Sequence, residues 1–126
     1  MSSRILVIDD NATNLDLMLY LLRAFGYEAE GCSDGLAGLE SAQSGEYALV
    51  LTDILMPGID GYEIARRLKG DPRSPSMRLI AVTALAMPGD QERINAAGFD
   101  GYITKPIDPQ SFIARIEEFL RSNSKT

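Results

Sequence analysis

No histidine and no tryptophan occur in the 126-residue chain, and it has one cysteine. Without imidazole there is no Ser-His-Asp or Cys-His catalysis, no histidine metal ligand and no phosphohistidine of the chain's own. Cys32 alone can form neither an internal disulfide nor a thiolate zinc site. With nothing basic beside it, it reads as a small core residue rather than a reactive thiol. Positive charge is also scarce: 12 Lys and Arg against 18 Asp and Glu give −6 and a pI near 4.6, so the basic footprint of a nucleic-acid or anionic-membrane binder is missing. No apolar run approaches the ~20 residues of a membrane span. The opening Met1-Ser2-Ser3-Arg4 lacks the apolar core of a signal peptide, so a cytoplasmic location is expected, without nucleic acid or membrane as partner.

What is present is an alternation. Short apolar runs change places five times with helical periodicity, the pattern of an α/β fold around a parallel sheet. Strands are expected over residues 5–8, 28–32, 48–52, 79–83 and 101–104. The spacing predicts a first helix over residues 12–25, with Leu17, Met18, Leu21, Leu22 and Phe25 as its stripe and Gly26 ending it. Further helices are expected over 35–44, from Asp60 to about Lys69 with Asp60 and Glu63 as a capping box, over 88–97 before Gly98, and from an Asp108 N-cap with Pro109 at its first position. The last helix carries the stripe Phe112, Ile113, Ile116, Phe119 and Leu120. A loop is expected from Gly70 through Pro75. The expected unit is a single domain, residues 1–126, with its core at about 4–121, a polar tail over 122–126 and no output domain.

Strand ends carry the chemistry. In open α/β sheets ligands bind beyond the carboxyl ends of the strands, where the strand order reverses. Asp9 and Asp10 end the first strand, Asp53 the third and Thr83 the fourth, and Lys105 follows the fifth. In a doubly wound five-stranded sheet of order 2-1-3-4-5 with five helices, the first and third strands are neighbours and three carboxylates meet. Two unit charges ~4 Å apart repel by roughly 4 kcal/mol at an effective dielectric near 20, so a cation is required. Oxygen ligands without His or Cys suit Mg²⁺ or Mn²⁺. Each residue also has a plainer reading: Asp9-Asp10 as cap and first-turn acid, Asp53 as turn former before Met56-Pro57-Gly58, Thr83 as a strand residue, Lys105 as a solvated surface lysine. Their joint placement at one edge favours a site.

The residues Val7-Ile8-Asp9-Asp10-Asn11, Thr52-Asp53-Ile54-Leu55-Met56-Pro57-Gly58-Ile59-Asp60-Gly61, Val82-Thr83-Ala84 and Tyr102-Ile103-Thr104-Lys105-Pro106 occur in order along nearly the whole chain. In this respect it resembles a response-regulator receiver domain of the CheY-like, flavodoxin-like fold. The stretch from Thr83 to Asp90 is particularly similar to DivK-like single-domain regulators and to receivers of hybrid histidine kinases. The resemblance implies a two-component signalling receiver, a self-catalysed phosphoacceptor rather than a turnover enzyme. It implies Asp53 as phosphoacceptor, and Mg²⁺ held by Asp10, Asp53 and the Leu55 carbonyl, with Asp9 acting through water. It further implies Lys105 and the Thr83 hydroxyl on the phosphoryl oxygens, amides of Leu55 and Ala84 as cradle, and a cis bond before Pro106. Phosphoryl transfer needs positioning and neutralised equatorial oxygens more than covalent help, which fits such a set.

As a switch, phosphate would draw Thr83 and let Tyr102 into the vacated space, with readout on the fourth helix, fifth strand and last helix. Tyr102 also has a plain reading as an edge-strand aromatic. The donor would be a histidine kinase or a histidine phosphotransfer protein, and the receiver a monomer or weak dimer. Leu55 and Leu85 are expected to hinder attacking water and prolong the phosphoryl form. Leu15 and Leu19, at i,i+4 outside the first helix's stripe, are a candidate docking pair for the donor, or scattered surface leucines.

Three alternatives stand against this reading. A haloacid-dehalogenase-type hydrolase would want an acid two residues after Asp53, where Leu55 stands. A flavodoxin-like cofactor binder would want a Gly/Ser/Thr-rich cradle where Asp9-Asp10 repels an anion. A phosphorylation-independent, pseudo-receiver-like interaction module would be expected to lack a site residue.

Overall fold

The computed structural model describes residues 4–71, 77–84 and 87–122. Residues 72–75 of the expected loop, Leu85 and the tail beyond Ser122 lie outside the described residues. Ten elements alternate: β1 Arg4–Ile8, α1 Ala12–Ala24, β2 Glu28–Cys32, α2 Gly35–Ser44, β3 Leu49–Thr52, α3 Gly61–Lys69, β4 Arg78–Thr83, α4 Pro88–Ala96, β5 Gly101–Thr104 and α5 Pro109–Ser122. The five strands form one parallel sheet in the order β2-β1-β3-β4-β5, as the alternation implied.

Because side chains alternate across a strand, each central strand supplies both faces. Leu6, Ile8, Val50, Leu79 and Ala81 meet Leu39 of α2, Ile64 and Leu68 of α3 and Ile94 of α4. Ile5, Val7, Leu49, Leu51, Ile80 and Val82 meet Met18 and Leu22 of α1 and Phe112 and Ile116 of α5. Helices therefore cover both faces, and the strand ends between them remain open for a site.

Several local expectations are corrected. Phe25 is not in the buried stripe: it follows the last turn of α1 and is 60% exposed, while Gly26, at φ 91°, reverses the chain. Leu15 and Leu19 are not a free pair. They are half-buried and lie over Gly31 of β2, where an added Cβ would stand 2.8 Å from Leu19 Cδ1 and 3.0 Å from Leu15 Cδ1. The capping box of α3 is half formed. Asp60 Oδ1 accepts the Glu63 N–H at 2.9 Å, but the Glu63 carboxylate turns to Arg66 and Arg67 instead of back to Asp60. α5 extends through Ser122, the first residue of the expected tail.

Candidate functional site

Three side chains stand one residue past their strands on backbone that is still hydrogen-bonded to the sheet. The Asp9 N–H donates to Cys32 O at 3.0 Å, the Asp53 N–H to Ile8 O at 2.9 Å, and the Lys105 N–H to Thr83 O at 2.9 Å. Period-two alternation gives Asp9 the side of Val7, Asp53 the side of Leu51 and Lys105 the side of Ile103, all one face of the sheet. They converge there: Lys105 Nζ is 3.0 Å from Asp53 Oδ2 and 3.1 Å from Asp9 Oδ2.

Asp9 is fully buried and Asp53 nearly so, whereas Asp10 is exposed at the mouth. Asp9 Oδ1 accepts the Asn11 N–H at 2.9 Å, and Asn11 in turn caps α1 by accepting the Asn14 N–H. Asp9 Oδ2 faces Lys105 as an ion pair yet receives no directed hydrogen bond, an unsatisfied acceptor in a buried place. Burial pushes the Asp53 carboxyl above the usual aspartate range. Its hydrogen bond from Lys105 offsets part of that, and the Asp9 charge adds to it. For Lys105 burial works toward the neutral amine, but the hydrogen bond to Asp53 and the ion pair with Asp9 outweigh it, so its pKa is raised and it stays an ammonium at neutral pH.

The Lys105 ammonium is thus paired with two carboxylates, and Asp10 adds a third beside them. Oxygens of Asp9, Asp10 and Asp53 lie within 4.8 Å of one another, an all-oxygen donor set with one acceptor unsatisfied, which fits a hard divalent cation.

Two residues that the sequence reading did not assign hold the Asp53 backbone. Thr52 Oγ1 donates to the Asp53 carbonyl at 3.0 Å. Gly61 opens α3 so close beneath it that a Cβ would stand 2.5 Å from that oxygen, while its N–H donates to Ile54 O at 2.8 Å. The available signal was positional: both flank the Asp53 loop in the recognised segment, but close approach between backbones leaves no periodic trace.

Thr83 is fully buried, with the opposite parity to Lys105, and pairs in register with Thr104. Tyr102, two residues earlier on the same side, is half-buried against the α2–α3–α4 cluster, so the two candidate switch residues share a face. Leu55 is 60% exposed after β3, and Ala84 is exposed after β4. The Lys105–Pro106 peptide is cis. Among the described residues no helix is long and apolar enough to cross a membrane.

Residues 5–117 match the model of the response regulator receiver domain. The chain belongs to that family. This receiver is 38% identical over 120 residues to the polar-differentiation response regulator DivK of Brucella ovis, covering 95% of this chain and 98% of that one. It superposes with a TM-score of 0.89, at 32% identity, on a CheY-like receiver domain protein from Methanospirillum hungatei JF-1, covering 99% and 98% of the two chains. A receiver domain of a sensor histidine kinase from Pseudomonas aeruginosa PAO1, whose structure has a magnesium ion coordinated in its active-site cleft, matches with a TM-score of 0.87 at 28% identity, over 96% and 99%. The fold is the CheY-like, flavodoxin-like one, and the general role of the family is phosphoryl acceptance in two-component signalling.

Proposed function

We propose that Asp53 accepts a phosphoryl group from a phosphohistidine donor, in the presence of Mg²⁺, and that the resulting charge changes a protein-binding face. The observation that carries this reading is Lys105 Nζ held between Asp53 and Asp9 while Asp9 Oδ2 lacks a hydrogen bond. A nucleophilic carboxylate is thereby pinned beside a fixed positive charge, in a cleft whose remaining oxygens suit a divalent ion. Asp10, Asp53 and the Leu55 carbonyl would hold Mg²⁺ or Mn²⁺, with Asp9 acting through water. When bound, the ion neutralises phosphoryl oxygens and so lowers the barrier to transfer.

An Asp53 oxygen forms the new bond to phosphorus as the donor's N–P bond breaks, and the imidazole leaves with the electron pair and takes up a proton. Lys105 pairs with a phosphoryl oxygen, Thr83 donates its hydroxyl to another, and amides of Leu55 and Ala84 complete the cradle. Drawing the buried Thr83 toward the phosphate empties space on the face it shares with Tyr102, which then moves inward. The readout face is α4, β5 and α5.

The protein does not turn over a substrate; it is itself the acceptor. A histidine kinase or phosphotransfer protein supplies the phosphate, and a downstream protein reads the face in the cytoplasm. The family match over residues 5–117 supports one receiver unit with its core at about 4–121. Intact mass after incubation with Mg²⁺ and acetyl phosphate tests the reading. One phosphoryl adduct is expected, lost with chelator and in Asp53→Ala. A folded, metal-binding protein without an adduct points to a phosphorylation-independent interaction module.

A further inference from the structure

The sheet has two outer strands, β2 and β5, and each ends the hydrogen-bond ladder with groups that point away from it. In the β1–β2 register Cys32 turns its carbonyl inward to the Asp9 N–H, so Ala29 and Gly31 turn theirs outward. In the β4–β5 register Lys105 turns its N–H inward to Thr83 O, so Tyr102 and Thr104 face outward. An outward row of this kind is a template for a further strand.

On each edge an arginine from the adjoining helix occupies the outward carbonyl. Arg23 of α1 donates to Ala29 O from Nη2 at 2.8 Å and from Nε at 3.2 Å. Arg115 of α5 donates to Tyr102 O from Nη2 at 2.8 Å. Arg115 is fixed from two further sides, its guanidinium 4.7 Å over the Phe119 ring and Nη1 3.3 Å from Glu118 Oε1. It walls a groove lined also by Thr104, Asp108, Ser111 and Phe112, so the space beside β5 where another backbone would lie holds a charged fork. Neither helix needs these bonds for its own ladder.

We propose that Arg23 and Arg115 are edge guards that prevent a second copy of this chain from adding its own edge strand to the sheet. A backbone approaching β5 meets no free acceptor at Tyr102 and must strip a guanidinium of its carbonyl, its aromatic face and its carboxylate together. A second copy is the relevant intruder because it brings a matching edge at the same concentration as the guard. On β2 the exposed Glu28 adds like-charge repulsion between two such edges, while the Glu30 carboxylate is already paired with Arg4 and Tyr47.

Sedimentation velocity across a wide concentration range, paired with amide hydrogen exchange, tests this on Arg115→Met, Arg115→Lys and the Arg23→Met/Arg115→Met double variant of the whole chain. Methionine keeps an apolar stem against Phe119. Lysine keeps the charge and guards against mistaking unfolding for opening. The expected result is a monomer for the parent, with self-association to twice the chain mass or beyond for Arg115→Met and the double variant. Slowed exchange at the Tyr102 and Thr104 amides should accompany it, with Arg115→Lys in between. A folded double variant that stays monomeric overturns the proposal. So does association that leaves those two amides exchanging as in the parent, or a parent already associated with both amides protected.

Discussion

Gly61 lies beneath Asp53 with no room for a side chain, a Cβ there standing 2.5 Å from the Asp53 carbonyl oxygen and 2.8 Å from Ile54 Cα. Both neighbours are backbone, which cannot rotate away. Gly61→Ala is therefore expected to destabilise the fold by about 1–3 kcal/mol, the usual cost of overpacking. Because the shifted backbone carries Asp53, phosphoryl uptake from acetyl phosphate should slow as well. Urea unfolding midpoints and adduct formation rates check the two effects, and Gly58→Ala, in the same loop but with nothing within 4 Å of the added Cβ, separates backbone strain from crowding.

Asp53→Asn removes one of three clustered carboxylates and leaves Lys105 paired with Asp9. In chelator it should be more stable than the parent by roughly 1 kcal/mol, the scale of one charge repulsion in a part-buried site. The sign with pH follows from the raised Asp53 pKa. The stability it contributes is fully present below the aspartate range of an unfolded chain and is lost as pH rises through the folded value. The advantage of the variant should thus appear on going from acid to neutral pH and vanish at low pH. Added Mg²⁺ should stabilise the parent more than the variant.

The fold and the centre of the site were legible because both rest on short-range pattern. Five apolar runs broken by helical spacing specify a doubly wound sheet, and Asp9, Asp53 and Lys105 each follow such a run directly, so topology alone brings them together. What was not legible depends on which way a long or terminal side chain turns. Phe25 has the spacing of the α1 stripe but falls where the helix has already ended. Glu63 has the position of a capping-box acid, yet Arg66 and Arg67, at i+3 and i+4, offer it charged partners. Leu15 and Leu19 look like surface residues until Gly31, lacking a side chain, opens β2 to them. Arg23 and Arg115 carry no sequence mark of the carbonyls they reach.

The buried Tyr47 should titrate well above the ordinary tyrosine range. Burial, and after it the hydrogen bond its hydroxyl donates to Glu30 at 2.8 Å, push it up to about 12. Stability should fall as pH rises from the ordinary tyrosine range toward that value, since the folded state alone keeps the proton. Difference ultraviolet titration of the parent against Tyr47→Phe isolates the transition. The variant, without the bond to Glu30, should lose about 1 kcal/mol at neutral pH.

Leu55 presents an exposed apolar side chain two residues after Asp53. Replacing it with Asn supplies a group able to orient water, so Leu55→Asn is expected to shorten the lifetime of the phosphoryl form severalfold, and Leu55→Asn with Leu85→Glu to shorten it further. Decay of the adduct followed by mass spectrometry gives the rates. Equal lifetimes would remove Leu55 as a barrier to water.

The most direct measurement asks which atom carries the phosphate. Reduction of the phosphorylated protein with borohydride converts an acyl phosphate on aspartate to homoserine, and peptide mapping then locates it. Homoserine at position 53 alone, absent without Mg²⁺, is the expected result. A mark at Asp9 or Asp10, or phosphoprotein with no homoserine anywhere, would contradict Asp53 as the acceptor.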